Sequence, residues 1–152
     1  MNYDALLAES DSAGLVVKEK PLKYNNGRIK RGKVAIRKDI PTSIEKTCIL
    51  AEELGHYYTS SGDILDQQDI SNRKQERRAR VWAYDLLIGL SGIVKAYRHG
   101  CSNLYEMADY LEVTEEFLRD ALERYRQKYG IYTTIDHHII YFEPHLAIVE
   151  IL

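Results

Sequence analysis

Apolar residues recur at helical spacing over most of this chain and alternate over only short stretches. Residues 44–59 place small and apolar side chains on one side of a helix: Ile44, Cys48, Leu50, Ala51, Leu54 and Gly55. Thr42 and Ser43 precede this stretch, and both residue types cap helix N-termini. The pattern therefore predicts an amphipathic helix over residues 44–59.

The remaining segments predict further helices and two short hairpins. Helical spacing covers residues 4–10, 73–87, 90–97, 103–111 and 114–129. One predicted hairpin has β-branched strands at residues 15–19 and 29–37, with turn-forming residues 23–27 between them. The second has strands at residues 131–135 and 139–142, on either side of Asp136-His137. Residues 147–151 could form one further strand. These elements predict an α+β fold that is mainly helical.

Length and composition indicate one globular protein. The chain has 152 residues, 45% hydrophobic and 29% charged, with only two cysteines, Cys48 and Cys101. The first residues show neither a basic region nor an apolar run, so we expect no signal peptide, and no apolar run reaches the ~20 residues that span a bilayer. Together these features predict a cytosolic protein.

The small net charge of −2 conceals two oppositely charged segments. Residues 18–38 carry nine basic side chains against Glu19, a net +8, and residues 106–123 carry seven acidic side chains against Arg119, a net −6.

Residues 107–121 also fit a helix-turn-helix pattern, with Glu112 where glycine usually makes the turn. Because acidic side chains repel phosphate, this pair predicts a protein contact, and direct nucleic-acid binding is not expected. Three interpretations of the basic segment 18–38 remain: a solvent-exposed face without a partner, a binding site for an acidic partner, or a surface that contacts phosphates.

The most informative motif lies on the predicted helix over residues 44–59. Its sequence is Glu52-Glu53-Leu54-Gly55-His56, a variant of H-E-x-x-H in which a carboxylate takes the first ligand position. Residues at i and i+4 share a helix face, so Glu52 and His56 can both reach one metal ion, with Glu53 beside them as general base. Adjacent glutamates on a helix are also common on a solvated face.

Glu76 strengthens the metal interpretation. It lies twenty residues after His56 on the next predicted helix, where Ala79 and Ala83 permit close helix packing. A ligand set of Glu52, His56 and Glu76 suits Zn²⁺, and two carboxylates also admit a harder ion such as Mn²⁺. Asp63, in the following turn, is either a residue that orients a ligand or a turn-forming aspartate.

At this point the sequence resembles the ImmA/IrrE family of metallo-endopeptidases, the type carried by phages and integrative elements. The resemblance rests on residues 50–56, 59–64, 72–84, 105–130 and 139–144. It implies a gluzincin-like core over residues 1–100, a C-terminal helical and hairpin subdomain over residues 101–152, and one compact unit overall. It also implies that Glu53 is the catalytic base and that His56 and Glu76 bind zinc, with Glu52 in place of the usual first histidine.

The family resemblance also implies a substrate. Such peptidases cleave an intracellular helix-turn-helix repressor encoded beside them, which derepresses a mobile element. Because Glu52 departs from the family pattern, the alternative is an antirepressor that binds the repressor without cleaving it. A third alternative is a transcription factor that uses the helix pair and hairpin.

Overall fold

The computed structural model describes residues 1–60 and 69–152, with side chains described for residues 1–60 and 72–152. The chain forms two compact units, Met1–Leu86 and Leu87–Leu152. The predicted functional division at residue 100 stays a prediction. Within the described residues, no helix is both long enough and apolar enough to cross a membrane.

The first unit combines three helices with a small sheet. Its elements in chain order are α1 (Tyr3–Ser12), β1 (Val16–Lys20), β2 (Gly27–Lys30), β3 (Lys33–Arg37), α2 (Ser43–Thr59) and α3 (Asp69–Leu87). Helix α2 begins as predicted, because the Thr42 hydroxyl accepts a hydrogen bond from the Glu45 backbone N–H at 3.1 Å. Helix α3 begins at Asp69, four residues before the predicted start at residue 73.

The N-terminal sheet contains a hairpin at a different place from the predicted one. Strand order is β1-β3-β2, with β1 parallel to β3 and β2 antiparallel to β3. The segment 29–37 is split by Arg31 and Gly32, whose φ angles of 50° and 76° form a tight turn. Residues 23–26 of the predicted turn instead lie in the connection from β1 to β2, which joins the two edges of the sheet, and Gly27 is the first residue of β2.

One face of this sheet packs against α2. Val34 and Ile36 are buried and Ile29 is half-buried on that face, whereas the alternate side chains are exposed or half-buried. Gly27 of β2, which is paired with Ile36 of β3, lies directly against the α2 side chains Ile49 and Glu53. The sheet therefore presents one apolar face to the helix that carries the candidate motif.

The second unit has three helices and an antiparallel sheet. Its elements are α4 (Gly89–His99), α5 (Leu104–Leu111), α6 (Glu115–Tyr129), β4 (Tyr132–Ile135), β5 (His138–Tyr141) and β6 (Ala147–Glu150). The second predicted hairpin is confirmed, with Asp136 and His137 at positive φ in its turn, and the open third strand is β6. The fold is α+β and mainly helical, as predicted.

Candidate active site

A glycine permits α2 and α3 to cross at close range. A Cβ atom at Gly55 would lie 2.2 Å from the backbone oxygen of Ala79, so no larger residue fits without separating the helices. Ala79 itself is fully buried. One turn away, the ring of Tyr58 stacks on Trp82 at 5.0 Å between centroids. The close approach predicted from the small residues of α3 is thus confirmed, and it brings the next residue, His56, towards α3.

His56 and Glu76 meet across this helix crossing. His56 Nε2 lies 3.3 Å from Glu76 Oε1, with the histidine side chain 12% exposed and the glutamate side chain 53% exposed. The hydrogen bond from His56 holds the pKa of Glu76 below its ordinary value, and the same bond raises the pKa of His56 against the opposing effect of burial. The pair is therefore open to solvent on the Glu76 side.

Glu53 lies beside this pair in a shielded position. Burial raises the pKa of its carboxyl group to about 7, helped by the charges of Glu52 and Glu76 and opposed by His56. A Cβ atom at Gly27 would come within 2.9 Å of Glu53 Cγ and 3.0 Å of Glu53 Oε1. Strand β2 therefore covers one side of the Glu53 side chain, and the absence of a side chain at Gly27 leaves the space that the carboxylate occupies.

The other two predicted site residues are placed less directly. The charge of Glu52 raises the pKa values of both Glu53 and His56, so Glu52 contributes to the same electrostatic site. Within the described residues, however, no three His, Cys, Asp or Glu side chains are grouped to hold a metal ion. Metal binding by Glu52 stays a prediction, and Asp63 lies outside the described residues.

The described residues supply two donors that fit a metal ion. Two ligands at ~2.1 Å from a tetrahedral zinc ion lie about 3.4 Å from each other, and the observed separation of His56 Nε2 and Glu76 Oε1 is 3.3 Å. The imidazole nitrogen and carboxylate oxygen are also donor types that zinc accepts. His56 Nδ1 is buried and has no hydrogen-bond partner among the described residues. No described group therefore fixes the tautomer of the His56 ring. The pair fits a metal ion, and a third ligand remains to be supplied.

The geometry of these three side chains is that of a candidate active site. Two helices hold a histidine–carboxylate pair next to a second, shielded carboxylate of raised pKa. Titratable groups with perturbed pKa values that lie close together are typical of candidate active sites. Over residues 11–123 the chain matches the family model for peptidase family M78, described as the IrrE N-terminal-like domain.

The chain belongs to this peptidase family, because the match covers well over half of its length. Neither the curated proteins nor the solved structures gave a significant match. The resemblance inferred from the sequence is therefore confirmed at the level of the family.

Sequence reasoning missed Gly27 as part of the site. Gly27 is separated from Glu53 by more than twenty residues, and its sequence context, Asn25-Asn26-Gly27, is typical of a turn. Only the packing of β2 against α2 reveals that this glycine borders the candidate base. The contact of Tyr58 with Trp82 was also missed. Tyr58 lies two residues after His56, and Trp82 lies six residues after Glu76.

Proposed function

We propose that this protein is a metal-dependent endopeptidase. The observation that carries the proposal is the contact between His56 and Glu76 beside Glu53, at the crossing of two helices in a member of peptidase family M78. His56 and Glu76 would hold the metal ion, and Glu52 is the proposed third ligand. Zinc fits the donors best, with manganese as the harder alternative.

The residues of the chain divide the reaction between them. When bound, a divalent ion supplies Lewis acidity, which polarises the scissile carbonyl group and acidifies a water molecule. Glu53 accepts the proton of the attacking water and later gives it to the leaving amine. Its raised pKa makes the ionised carboxylate a stronger base than an exposed glutamate, and its shielded position excludes competing water.

We propose an intracellular helix-turn-helix repressor of a mobile element as the substrate. The support for this substrate is the family resemblance alone. The cytosolic location, likewise, is a proposal from the sequence. A repressor substrate predicts selective cleavage at one or a few peptide bonds, with no general degradation of unfolded proteins.

Metal content tests the ligand set. We expect elemental analysis of the purified full-length protein to give close to one equivalent of zinc or manganese, and His56→Ala or Glu76→Gln to lower this content at least tenfold. Glu52→Gln tests the third ligand in the same way. Glu116→Gln, in the first turn of α6 and outside the site, is the matched control. Unchanged metal content in both His56→Ala and Glu76→Gln would refute the assignment.

Cleavage tests the role of Glu53. The parent protein, incubated with the repressor encoded by the adjacent gene, should give fragments that disappear on addition of a chelator. Glu53→Gln should keep the metal and lose at least about 100-fold in cleavage rate. A Glu53→Gln variant that cleaves as fast as the parent would contradict the proposed base.

A second candidate function is sequestration of the repressor without cleavage. The observation in its favour is Glu52 at the first ligand position, together with the lack of a three-residue metal cluster within the described parts of the chain. A stable complex with the repressor that forms equally well with and without chelator, and gives no fragments, would favour this function over proteolysis.

A further inference from the structure

The sheet of the first unit exposes a strongly cationic face. Because side chains alternate along each strand, the residues opposite the α2-packed face share one surface. Strand register places six cationic side chains on it. The half-buried Arg37 lies 3.8 Å from Asp39. The other five are exposed, and we call these five the cationic face: Lys18, Lys20, Arg28, Lys30 and Lys33. The one acidic residue of these strands, Glu19, alternates to the other side, where Lys46 of α2 binds its carboxylate. Within the described parts of the chain, no acidic side chain forms an ion pair with any of the five exposed cations.

Strand register places like charges next to each other. Lys30 of β2 lies directly opposite Lys33 of β3, and Lys18 and Arg28 are both opposite Ala35, one from each side. Like charges directly opposite across two strands destabilise a sheet. This unfavourable arrangement is relieved when an anionic group binds between the cations, as is common for surfaces that serve recognition rather than stability.

The cationic face contains a groove with an apolar floor. The groove has a volume of about 320 Å³, and the five cationic side chains line it together with the apolar residues Val16, Leu22 and Ala35. Val34 also borders the groove, although its side chain packs on the opposite face of the sheet. Among the residues that the structure describes, none that lines the groove is acidic or aromatic. The small side chain of Ala35 lies at the centre of the sheet, between Lys18 and Arg28, so a ligand has room between these two cations.

We propose that the cationic face docks an acidic segment of a partner protein, in which carboxylates are interspersed with apolar side chains. Carboxylates match the five cations, and apolar side chains match the floor of the groove. Single-stranded nucleic acid fits less well, because its bases stack on aromatic side chains and none of the described lining residues is aromatic. Four of the five cations are lysines, whereas arginine is the preferred residue for bidentate phosphate contacts.

This interaction surface is separate from the proposed chemistry. It lies on the face of the sheet opposite to the one that Gly27 presents to Glu53. Docking requires no metal ion and no cleavage, so binding measured in the presence of a chelator reports on the surface alone. A protein without peptidase activity can therefore still confirm or refute the docking proposal.

Fluorescence anisotropy with labelled probes tests the proposal on the full-length protein. The first probe is a peptide of about 12 residues with glutamate at every second position and leucine or serine between the glutamates. The second probe is the same peptide with glutamine in place of glutamate. The third probe is an oligothymidylate of about 12 nucleotides. We expect the acidic peptide to bind, the glutamine peptide to bind at least about tenfold more weakly, and added salt to weaken binding.

Two variants of the cationic face and one control identify the surface. Lys30→Gln/Lys33→Gln and Lys18→Gln/Arg28→Gln should each weaken the acidic peptide at least about tenfold. The control Lys95→Gln/Lys128→Gln removes two exposed cations from helices of the second unit and should leave affinity within about twofold. Two pairs are used so that one folding defect does not decide the outcome, and circular dichroism checks each fold.

Three results would overturn the proposal. Equal binding of the glutamine peptide would show that carboxylates are not recognised. Equal weakening by the control variant would show that overall charge, and not this face, determines binding. Tighter binding of the oligothymidylate than of the acidic peptide would assign the face to nucleic acid.

Discussion

At the residue scale, Glu53 combines a shielded position with a raised pKa. Its carboxyl group has a pKa of about 7 in the folded protein against an ordinary value of 4.5, with burial as the main cause. A carboxyl group whose pKa is raised on folding costs no stability at low pH, where it is protonated in both states. It costs stability progressively as the pH rises from about 4.5 through about 7, because ionisation is harder in the folded state.

Glu53→Gln should therefore stabilise the metal-free protein at high pH. We expect its gain in free energy of unfolding over the parent to increase by about 1–3 kcal/mol from pH 4.5 to pH 8, measured by urea denaturation in the presence of a chelator. The matched control, Glu9→Gln on the exposed side of α1, should have a small effect at both values. A gain that is equal at the two pH values would contradict the shielded environment of Glu53.

Gly27 is the second residue with a specific role at this scale. Gly27→Ala places a methyl group within 3.0 Å of both Glu53 Cγ and Ile49 Cγ2, so the Glu53 side chain has to move. Because small displacements of a general base are costly, the proposed role of Glu53 predicts a 10- to 100-fold lower cleavage rate. Metal content should stay unchanged, and kcat should fall more than KM rises.

A second glycine separates this positional effect from a general loss of stability. Gly14 has a φ of 81° and no atom within 4 Å of the position of its Cβ, so Gly14→Ala introduces backbone strain of about 1 kcal/mol without contact with the site. We expect Gly14→Ala to lower the melting temperature and to keep the cleavage rate. If both glycine variants lose activity in proportion to their stability, Gly27 has no positioning role.

At the scale of elements, the crossing of α2 and α3 determines whether His56 and Glu76 meet. Gly55→Ala should destabilise the protein by about 1–3 kcal/mol and lower its metal content, because the methyl group overlaps the backbone of Ala79 and forces the helices apart. Thermal unfolding and elemental analysis measure the two effects.

A glycine in another helix provides the control for Gly55→Ala. A Cβ atom at Gly92 of α4 would lie 3.3 Å from Cδ2 of Leu111, at the flexible end of that side chain. Alanine also favours a helix over glycine by about 1 kcal/mol, so Gly92→Ala should be within about 1 kcal/mol of the parent. Equal stability losses in the two variants would contradict the tight crossing at Gly55.

The turn between α5 and α6 contains a strained glutamate. Glu112 has φ 58° and ψ 43°, the left-handed region in which glycine is favoured, and α6 begins with the Thr114 hydroxyl accepting a hydrogen bond from Phe117 N–H at 3.1 Å. Glu112→Gly should raise the free energy of unfolding by about 0.5–1 kcal/mol. Glu116→Gly, within α6, should lower it by about 1 kcal/mol. Urea denaturation of both variants checks the sign; a destabilised Glu112→Gly would contradict the strain.

Local signals explain which elements the sequence predicts. The Thr42 cap and the turn at Asp136-His137 each depend on one or two neighbouring residues, and both are confirmed. The parallel pairing of β1 with β3 depends on contacts between distant residues, and Arg31 is an unusual residue for a positive φ. Pairing and register were therefore beyond the sequence pattern.

The candidate site shows the same limit. Residues 52–56 form one local motif on one helix, and Glu76 is identifiable from its place on the next helix. The contact between His56 and Glu76 and the cover that Gly27 gives to Glu53 require the packing of three elements. The residue types of the candidate site could thus be predicted from the sequence, whereas the burial that raises the pKa of Glu53 could not.

At the scale of the whole molecule, charge is concentrated by segment. The basic residues of segment 18–38 include the cationic face of the first unit, and the acidic residues of segment 106–123 lie on and around α5 and α6 of the second unit. A net charge of −2 therefore says little about what either surface binds. Each surface has its own local potential, which is screened by salt over about 10 Å at 0.1 M ionic strength.

Repulsion within the cationic face should be measurable as a stability cost without any ligand. Lys33→Gln removes the like-charge contact with Lys30 across the two strands, so we expect it to raise the free energy of unfolding by about 0.2–1 kcal/mol at low ionic strength. The gain should disappear at about 1 M salt, where charges are screened within about 3 Å. Urea denaturation of the full-length protein at the two ionic strengths measures it, with Lys95→Gln as the control. A Lys33→Gln variant that is less stable at low salt would show that Lys33 stabilises the sheet, and the face would then need no anionic partner to explain its composition.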